Sequence, residues 1–444
     1  MEFSNLFFLY LFFPFCAAVY FLAPGMKLKN GVLILFSLLF YTLSCPVYLP
    51  VLLFLAGGNY LLTKVWAGKK CCMWIGQSFN IGTLLLFKLL PGIPFPLGLS
   101  FYVFSMISYQ ADVYRNPDER SCSFLKFLLF VSFFPKLVMG PILRYSQISE
   151  QLETRNVDPK GIFKGILRFT VGLSKKILLA DPLFRVYEQL GTHSSCLSPW
   201  LGAAAFMLYI YLEFSGYGDM ALGMGNIFGF ALPENFDRPY TSASVSLFWR
   251  RWHITLGTFF RDYVYIPLGG SRRGSFRQSG NLFAVWLLTG LWHGFSRTFM
   301  IWGMYFYVVL LLEKHTLTIR KQIPVVLQRL CTFVLVYFGW IIFASGSVSE
   351  LGKALGQMFS FSARSLEPTL LVLQNSGPLL LVSFVLSVPG PVWKKKLKTK
   401  LEHSSAISAR LLPVALCLTV LLLLGLCTVA LLGGAARPSM YAGF

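Results

Sequence analysis

Charge is what this sequence lacks most. Asp, Glu, Lys and Arg make up 13% of its 444 residues, where a soluble globular chain carries about 25%. Acids are scarcer still, 18 against 39 Lys and Arg, which leaves a net charge of +21. Histidine occurs five times, and the nine cysteines include no CxxC pair. There is no GxxxxGK[ST] loop, no GxSxG elbow and no HxxxD stretch. Together these absences exclude a disordered chain, a coiled coil, a collagen, an ordinary cytosolic enzyme, a P-loop ATPase and a serine hydrolase of the elbow type.

Apolar residues fill the space. They make up 55% of the chain, aromatics alone 16%, and the mean hydropathy is +0.63. The apolar runs are continuous and long enough to cross a bilayer as helices. They do not alternate with polar residues as the strands of an outer-membrane barrel do. A polytopic membrane protein, bound to a lipid bilayer, is the class that remains. In such a protein the excess of Lys and Arg reads as cytoplasmic loops touching anionic headgroups, and not as nucleic-acid binding. Cys16, Cys45, Cys331, Cys417 and Cys427 lie in apolar stretches and Cys71 adjoins Cys72, so the cysteines read as small buried side chains and not as disulfides or a zinc site.

The N-terminus carries Glu2 and no basic residue before Lys27, which predicts a retained first span and not a cleaved signal. Further spans are expected at 31–44, 46–62, 72–90 and 95–111, another apolar segment runs from 122 to 143, and later candidate spans fall at 199–214, 281–295, 299–312, 330–345, 369–388 and 411–432. Three basic clusters set the orientation: Lys64, Lys69 and Lys70; Lys314, Arg320, Lys321 and Arg329; Lys394, Lys395, Lys396, Lys398 and Lys400. With all three in the cytoplasm, both termini are extracytoplasmic. Between Lys136 and Arg277 polar and apolar residues mix, with Lys164, Arg168, Lys175 and Lys176 set among Ile, Leu and Phe. Polar or irregular backbone at membrane depth lines a cavity or is buried in protein, so a ring of outer spans around a thinner, partly re-entrant centre is expected.

Two histidines stand out. In SVSLFWRRWHITLGTFFRDYVYIPLGG, read as one helix, Trp249, Trp252, His253, Leu256, Phe259 and Phe260 share a face flanked by Arg250, Arg251 and Arg261. In NLFAVWLLTGLWHGFSR, Trp286, Thr289, Gly290, His293 and Gly294 share another. His315 and His403 lie in basic loops and His193 in a turn-like stretch, where solvated side chains are expected. An ionisable residue inside a span is a functional candidate, or else a hydrogen-bonded helix contact. Burial keeps an imidazole neutral and basic. A neutral imidazole can take the proton of an acceptor hydroxyl attacking an acyl group. Two histidines alone make no metal site. Glu213 and Asp219 sit beside several glycines in YIYLEFSGYGDMALGMGNIFGF. They read as a re-entrant turn whose acids pair with arginines, with catalysis as the alternative. Asp262 beside Arg261 reads as another pair, and PENFDRPY as a turn into the Trp249 helix. Arg272, Arg273 and Arg277 in SRRGSFR are either positive-inside bias or a landing surface for a phosphate-bearing donor.

These stretches, together with SFFPKLVMGPILRYSQI, resemble the membrane-bound O-acyltransferase family, and within it the alginate O-acetylation membrane protein branch. The resemblance covers nearly the whole chain, and the 233–270 block is its most specific part. It implies an all-α fold of about 11–13 spanning or re-entrant helices around a central funnel. It implies one domain over 1–444, with N-terminal spans to 121, a catalytic region at 122–313 and C-terminal spans from 314. The family's catalytic histidine lies in a WHG motif, here Trp292, His293 and Gly294, and its second histidine is His253. The branch often has Asp where Glu213 stands.

The activity so implied is transfer of an acyl group, acetyl above all, from a cytoplasmic thioester such as acetyl-CoA or an acyl carrier. The acceptor is an envelope or secreted polysaccharide, reached through an extracytoplasmic partner resembling SGNH hydrolases. His293 is expected to be the general base, with His253 orienting the thioester or assisting proton movement. Trp249, Arg250, Arg251, Asp262, Thr289 and Trp292 are expected to support the tunnel, and Arg272, Arg273 and Arg277 to receive the donor. No metal or bound cofactor is expected, and the place is the bacterial cytoplasmic membrane. D-alanyl transfer to teichoic acid is the enzymatic rival, and a transporter without covalent chemistry the non-enzymatic one.

Overall fold

A computed structural model describes residues 1–66, 68–90, 92–117, 123–360, 366–388, 406–434 and 437–439. Among them the regular structure is helical throughout, with no strand. Six helices are long and apolar enough to cross a membrane by length and composition: Gly25–Ser44, Pro46–Trp66, Leu197–Ile227, Val325–Ala344, Glu367–Ser387 and Leu411–Leu432. The last is the most apolar and the least covered, with 11% of its window buried. A row of bare leucines of that length suits hydrocarbon and not water. The basic residues from Lys394 to Lys400, and His403, lie outside the described residues.

The chain forms two compact units. The first holds Met1–Leu173, Tyr217–Glu234 and the C-terminal residues from Arg437. Its core is dense in phenylalanine: Phe3, Phe8, Phe40 and Phe134 are fully buried and in mutual ring contact. The apolar segment at 122–143 does not form one helix among its described residues. Its helix stops at Ser132: Phe133 leaves helical geometry (φ -49, ψ 106), and Pro135, lacking an N–H for the Val131 carbonyl, can only sit at the start of a new turn. A four-residue turn, Phe134–Leu137, follows. Lys136 in that turn is buried, donates to Ser105 Oγ at 3.0 Å and lies 4.7 Å from the Phe130 ring.

The expected re-entrant turn around Glu213 and Asp219 is also absent. Residues Leu197–Ile227 make one unbroken helix of 31 residues. Gly223 in it serves packing and not a bend. A Cβ on Gly223 would meet the backbone of Phe169 at 2.6 Å, and one on Gly165 would meet the Gly223 carbonyl at 2.6 Å. The Pro159–Ser174 helix therefore lies backbone to backbone against this one, as small residues permit. The helix ends at Gly229 (φ 82), where Phe230 N–H reaches back to the Gly225 carbonyl at 2.7 Å. Asp219 does pair with an arginine: Arg168 contacts it at 2.9 Å and Glu234 at 2.5 Å.

The second unit holds Ser174–Gly216 and Asn235–Ala436. Glu213 pairs here with a lysine and not an arginine. Lys176 Nζ lies 2.9 Å from Glu213 and 2.7 Å from Asp181, and all three side chains are at most 3% exposed. Close backbone approach recurs between Ser275–His293 and Arg297–His315. A Cβ on Gly290 would sit 2.7 Å from the Phe299 carbonyl oxygen, and one on Gly303 2.5 Å from that of Trp286. Gly290, one helical turn before His293, is thus a packing residue: it brings the next helix close enough for aromatic rings to reach the imidazole.

Candidate active site

The two histidines singled out by sequence both contact one indole. Trp292 is in ring contact with His253 at 6.1 Å between centroids and with His293 at 4.5 Å. His293 is the last residue of the Ser275–His293 helix. Rings close around it: Phe343 at 5.0 Å, Trp302 at 5.1 Å and Phe299 at 5.9 Å, the first two nearly perpendicular to the imidazole. Gly294 follows because a Cβ there would meet the Phe299 ring at 2.9 Å. His293 is 7% exposed and His253 4%. No bulk water solvates either ring.

His253 occupies a different backbone from the one its apolar period suggests. The expected single helix is broken. Val245–Arg251 ends, Trp252 turns extended, His253 takes φ 44 and ψ 54, and Ile254–Phe260 begins a new helix. A left-handed non-glycine residue is uncommon and costs about 1–3 kcal/mol unless its surroundings impose it. Here two backbone hydrogen bonds do so, from Ile254 N–H to the Asn235 carbonyl at 2.9 Å and from Asp237 N–H to the Arg251 carbonyl at 3.0 Å. The PENFDRPY turn is therefore the partner strap of the break as well as the lead-in to the helix. Phe214 packs its ring edge-on to His253 at 4.6 Å. Burial pushes the His253 pKa down to about 3, so its ring is neutral near pH 7.

The short Val245–Arg251 helix is held at its start by two side chains. Ser244 accepts from Leu247 N–H at 3.0 Å, and Glu313 accepts from Val245 N–H at 2.5 Å and Ser246 N–H at 3.2 Å. An acid at a helix N-terminus is favoured by the unpaired amides there. Trp249 on this helix meets Phe306 at 4.7 Å, Trp286 at 4.9 Å and Trp302 at 5.6 Å, so it packs against the same Trp302 that faces His293. Thr289 is buried and spends its hydroxyl on the Val285 carbonyl at 2.7 Å. Arg250 is exposed, and Arg251 donates to Thr241 Oγ1 at 3.2 Å. Asp262 is paired with Arg261 at 2.8 Å. Arg272, Arg273 and Arg277 are all exposed, and Arg277 donates to the Leu268 carbonyl at 3.2 Å.

The structure brings together both histidines and Trp292, which the sequence singles out. Sequence reasoning missed Asn235, Phe214, Glu313, Trp302 and Phe343, which reach the site from distant segments. Only the Asn in PENF left a signal, as a polar residue in a turn next to the motif. Among the described residues no three His, Cys, Asp or Glu side chains gather as a metal site.

The chain is thus a helical, glycine-packed membrane protein with two buried histidines in contact with one indole. The model of the MBOAT, membrane-bound O-acyltransferase family matches residues 4–350, and the chain belongs to that family. A probable alginate O-acetylase of Pseudomonas fluorescens is 37% identical over 384 residues, covering 82% of this chain and 77% of its own length. A peptidoglycan O-acetyltransferase of Helicobacter pylori is 30% identical, covering 82% and 81%. A teichoic acid D-alanyltransferase of Bacillus subtilis is 26% identical, covering 56% and 68%. The chain is a multi-pass membrane O-acyltransferase that resembles the alginate O-acetylases.

Proposed function

We infer that the protein moves an acetyl group from a cytoplasmic thioester, acetyl-CoA or an acyl carrier, towards hydroxyls of an envelope or secreted polysaccharide in the bacterial cytoplasmic membrane. The pair of buried histidines in contact with Trp292 carries this reading. The acceptor oxygen attacks the thioester carbonyl. Its proton passes to His293, and the thiolate leaves and regains a proton from the imidazolium. The aromatic walls exclude water, which would otherwise hydrolyse the thioester. His253 orients the thioester or assists proton movement, with Trp249, Thr289, Trp292, Arg250, Arg251 and Asp262 in support. The names of the Pseudomonas and Helicobacter relatives support a polysaccharide acceptor. A partner resembling SGNH hydrolases completes the transfer outside the membrane. The Bacillus relative gives D-alanyl transfer to teichoic acid as the second reading. Detergent-purified protein incubated with labelled acetyl thioester and a hydroxyl-bearing polysaccharide acceptor should release free thiol and form labelled ester on that acceptor. Labelling only from D-alanyl carrier protein would move the assignment to the second reading, and no acyl product from either donor would sink both.

Two further predictions concern the surface. If Arg272, Arg273 and Arg277 receive a phosphate-bearing donor, their triple Ala variant should raise the donor KM several-fold and flatten its salt dependence, with kcat nearly unchanged. An unaltered KM would return these arginines to positive-inside bias. The exposed Cys71 beside Lys69 and Lys70 should face the cytoplasm together with Lys394–Lys396, leaving both termini outside. A variant retaining Cys71 alone should resist an impermeant maleimide in intact cells and react after permeabilisation. Reaction in intact cells would invert the topology.

A further inference from the structure

The strap that breaks the helix at His253 also fixes which of its nitrogens holds a proton. Asn235 Oδ1 stands 3.2 Å from Thr255 N, 3.0 Å from Thr255 Oγ1 and 3.1 Å from His253 Nδ1. The Thr255 main-chain N–H can only donate, so the Asn235 atom facing it is the amide oxygen and not the NH2. That identifies the amide orientation from the network itself. An amide oxygen can only accept, so the ring nitrogen facing it must carry hydrogen. We propose that Asn235 is a positioning residue for His253, holding the imidazole as the Nδ1–H tautomer and leaving Nε2 as the nitrogen with the lone pair.

Several independent features hold the arrangement. Asn235 is 2% exposed and Thr255 7%, so water does not compete for the oxygen. The Asn235 carbonyl is tied to Ile254 N–H, one residue past the histidine, so side chain and main chain grip the same turn. Phe214, edge-on at 4.6 Å, and Trp292, at 6.1 Å, also pack against the ring. The imidazole can therefore neither flip nor swap tautomers without breaking the Asn235 contact.

This has a chemical consequence, which rests on the reading of His253 as a working residue. With Nδ1 committed to Asn235, only Nε2 can act on substrate, and it does so as an acceptor. It cannot donate a hydrogen bond to the thioester carbonyl until it has itself been protonated. Of the two roles for His253, taking and passing on a proton is the one this tautomer performs. Asn235 occupies the place that an orienting group holds behind a catalytic histidine in general: it touches no reacting atom and acts through the ring.

The test reads the tautomer directly. Protein labelled with 15N-histidine and solubilised in detergent should show the His253 resonances, assigned by their loss in His253→Gln, as protonated Nδ1 and unprotonated Nε2. Asn235→Leu should abolish that pattern and lower kcat by about 10- to 100-fold with KM within three-fold, the range typical of removing a histidine's orienting partner. Asn235→Asp, which retains an acceptor oxygen, should keep Nδ1 protonated, and it serves as the readout if the Leu variant fails to elute as native protein. An Nε2–H tautomer in the wild type, or an unchanged Nδ1–H signal in Asn235→Leu, would overturn the proposal. A changed signal with full acyl transfer would support the positioning role while removing His253 from the reaction, so the two failures are distinguishable.

Discussion

His293→Ala should lower acyl transfer by roughly 10²- to 10⁴-fold, the contribution of one positioned general base. Folding and membrane insertion should survive, because the imidazole is ringed by Phe343, Trp302 and Phe299, which also pack on one another. The variant should elute as native protein while its donor KM changes little, since the base acts in the transition state more than in binding. His293→Gln should be as inactive as Ala, because a glutamine amide fills the volume but takes no proton. The measurement is acyl transfer by detergent-purified, monodisperse variant protein. A rate within a few-fold of wild type would remove His293 from the reaction and leave it as an aromatic-box packing residue.

Lys176→Met should be the more damaging change to the fold. One buried ammonium stands between Asp181 and Glu213, so its loss leaves two carboxylates together in the interior. Removing one partner of a buried pair costs about 3–5 kcal/mol, mostly as the unpaired charge left behind. Here two charges are left. The expected result is poor yield of monodisperse protein and an apparent Tm several degrees below wild type. Asp181→Asn should be far milder, because it leaves one cation facing one anion. Equal losses in the two variants, or a Lys176→Met protein as stable as wild type, would show that the triad is not held together by its charges.

The apolar periods were enough to place most long helices. Those expected at 31–44, 330–345, 369–388 and 411–432 lie within or close to observed ones, since hydrophobic length survives any tertiary context. What failed did so for a shared reason. The glycines between Glu213 and Gly225 read as allowing either close backbone approach or a break; the approach is what occurs, Gly223 meeting the Phe169 backbone within an unbroken helix, and which segment it meets is invisible from either alone. At His253 the error ran the other way. The 3.6-residue period continues through Trp252 and His253, but main-chain bonds from Asn235 and Asp237 override it. The histidines were legible because an ionisable group in an apolar run is conspicuous. Their supports, such as Glu313 on the amides of Val245 and Ser246, were not, because pairing across 67 residues or more leaves no local trace.

The left-handed backbone of His253 also acts as a filter on what can replace it. Alanine, valine or leucine at φ 44 pays a conformational penalty that has nothing to do with chemistry, whereas glycine, asparagine and aspartate tolerate the geometry. An alanine scan will therefore overstate the role of this side chain, mixing a distorted turn with a lost imidazole. His253→Asn is the informative exchange, since it relieves the turn of strain and isolates the ring. The same filter narrows the drift open to this position over time. Most substitutions that the turn accepts are polar, so the turn itself biases the site towards side chains able to hydrogen-bond.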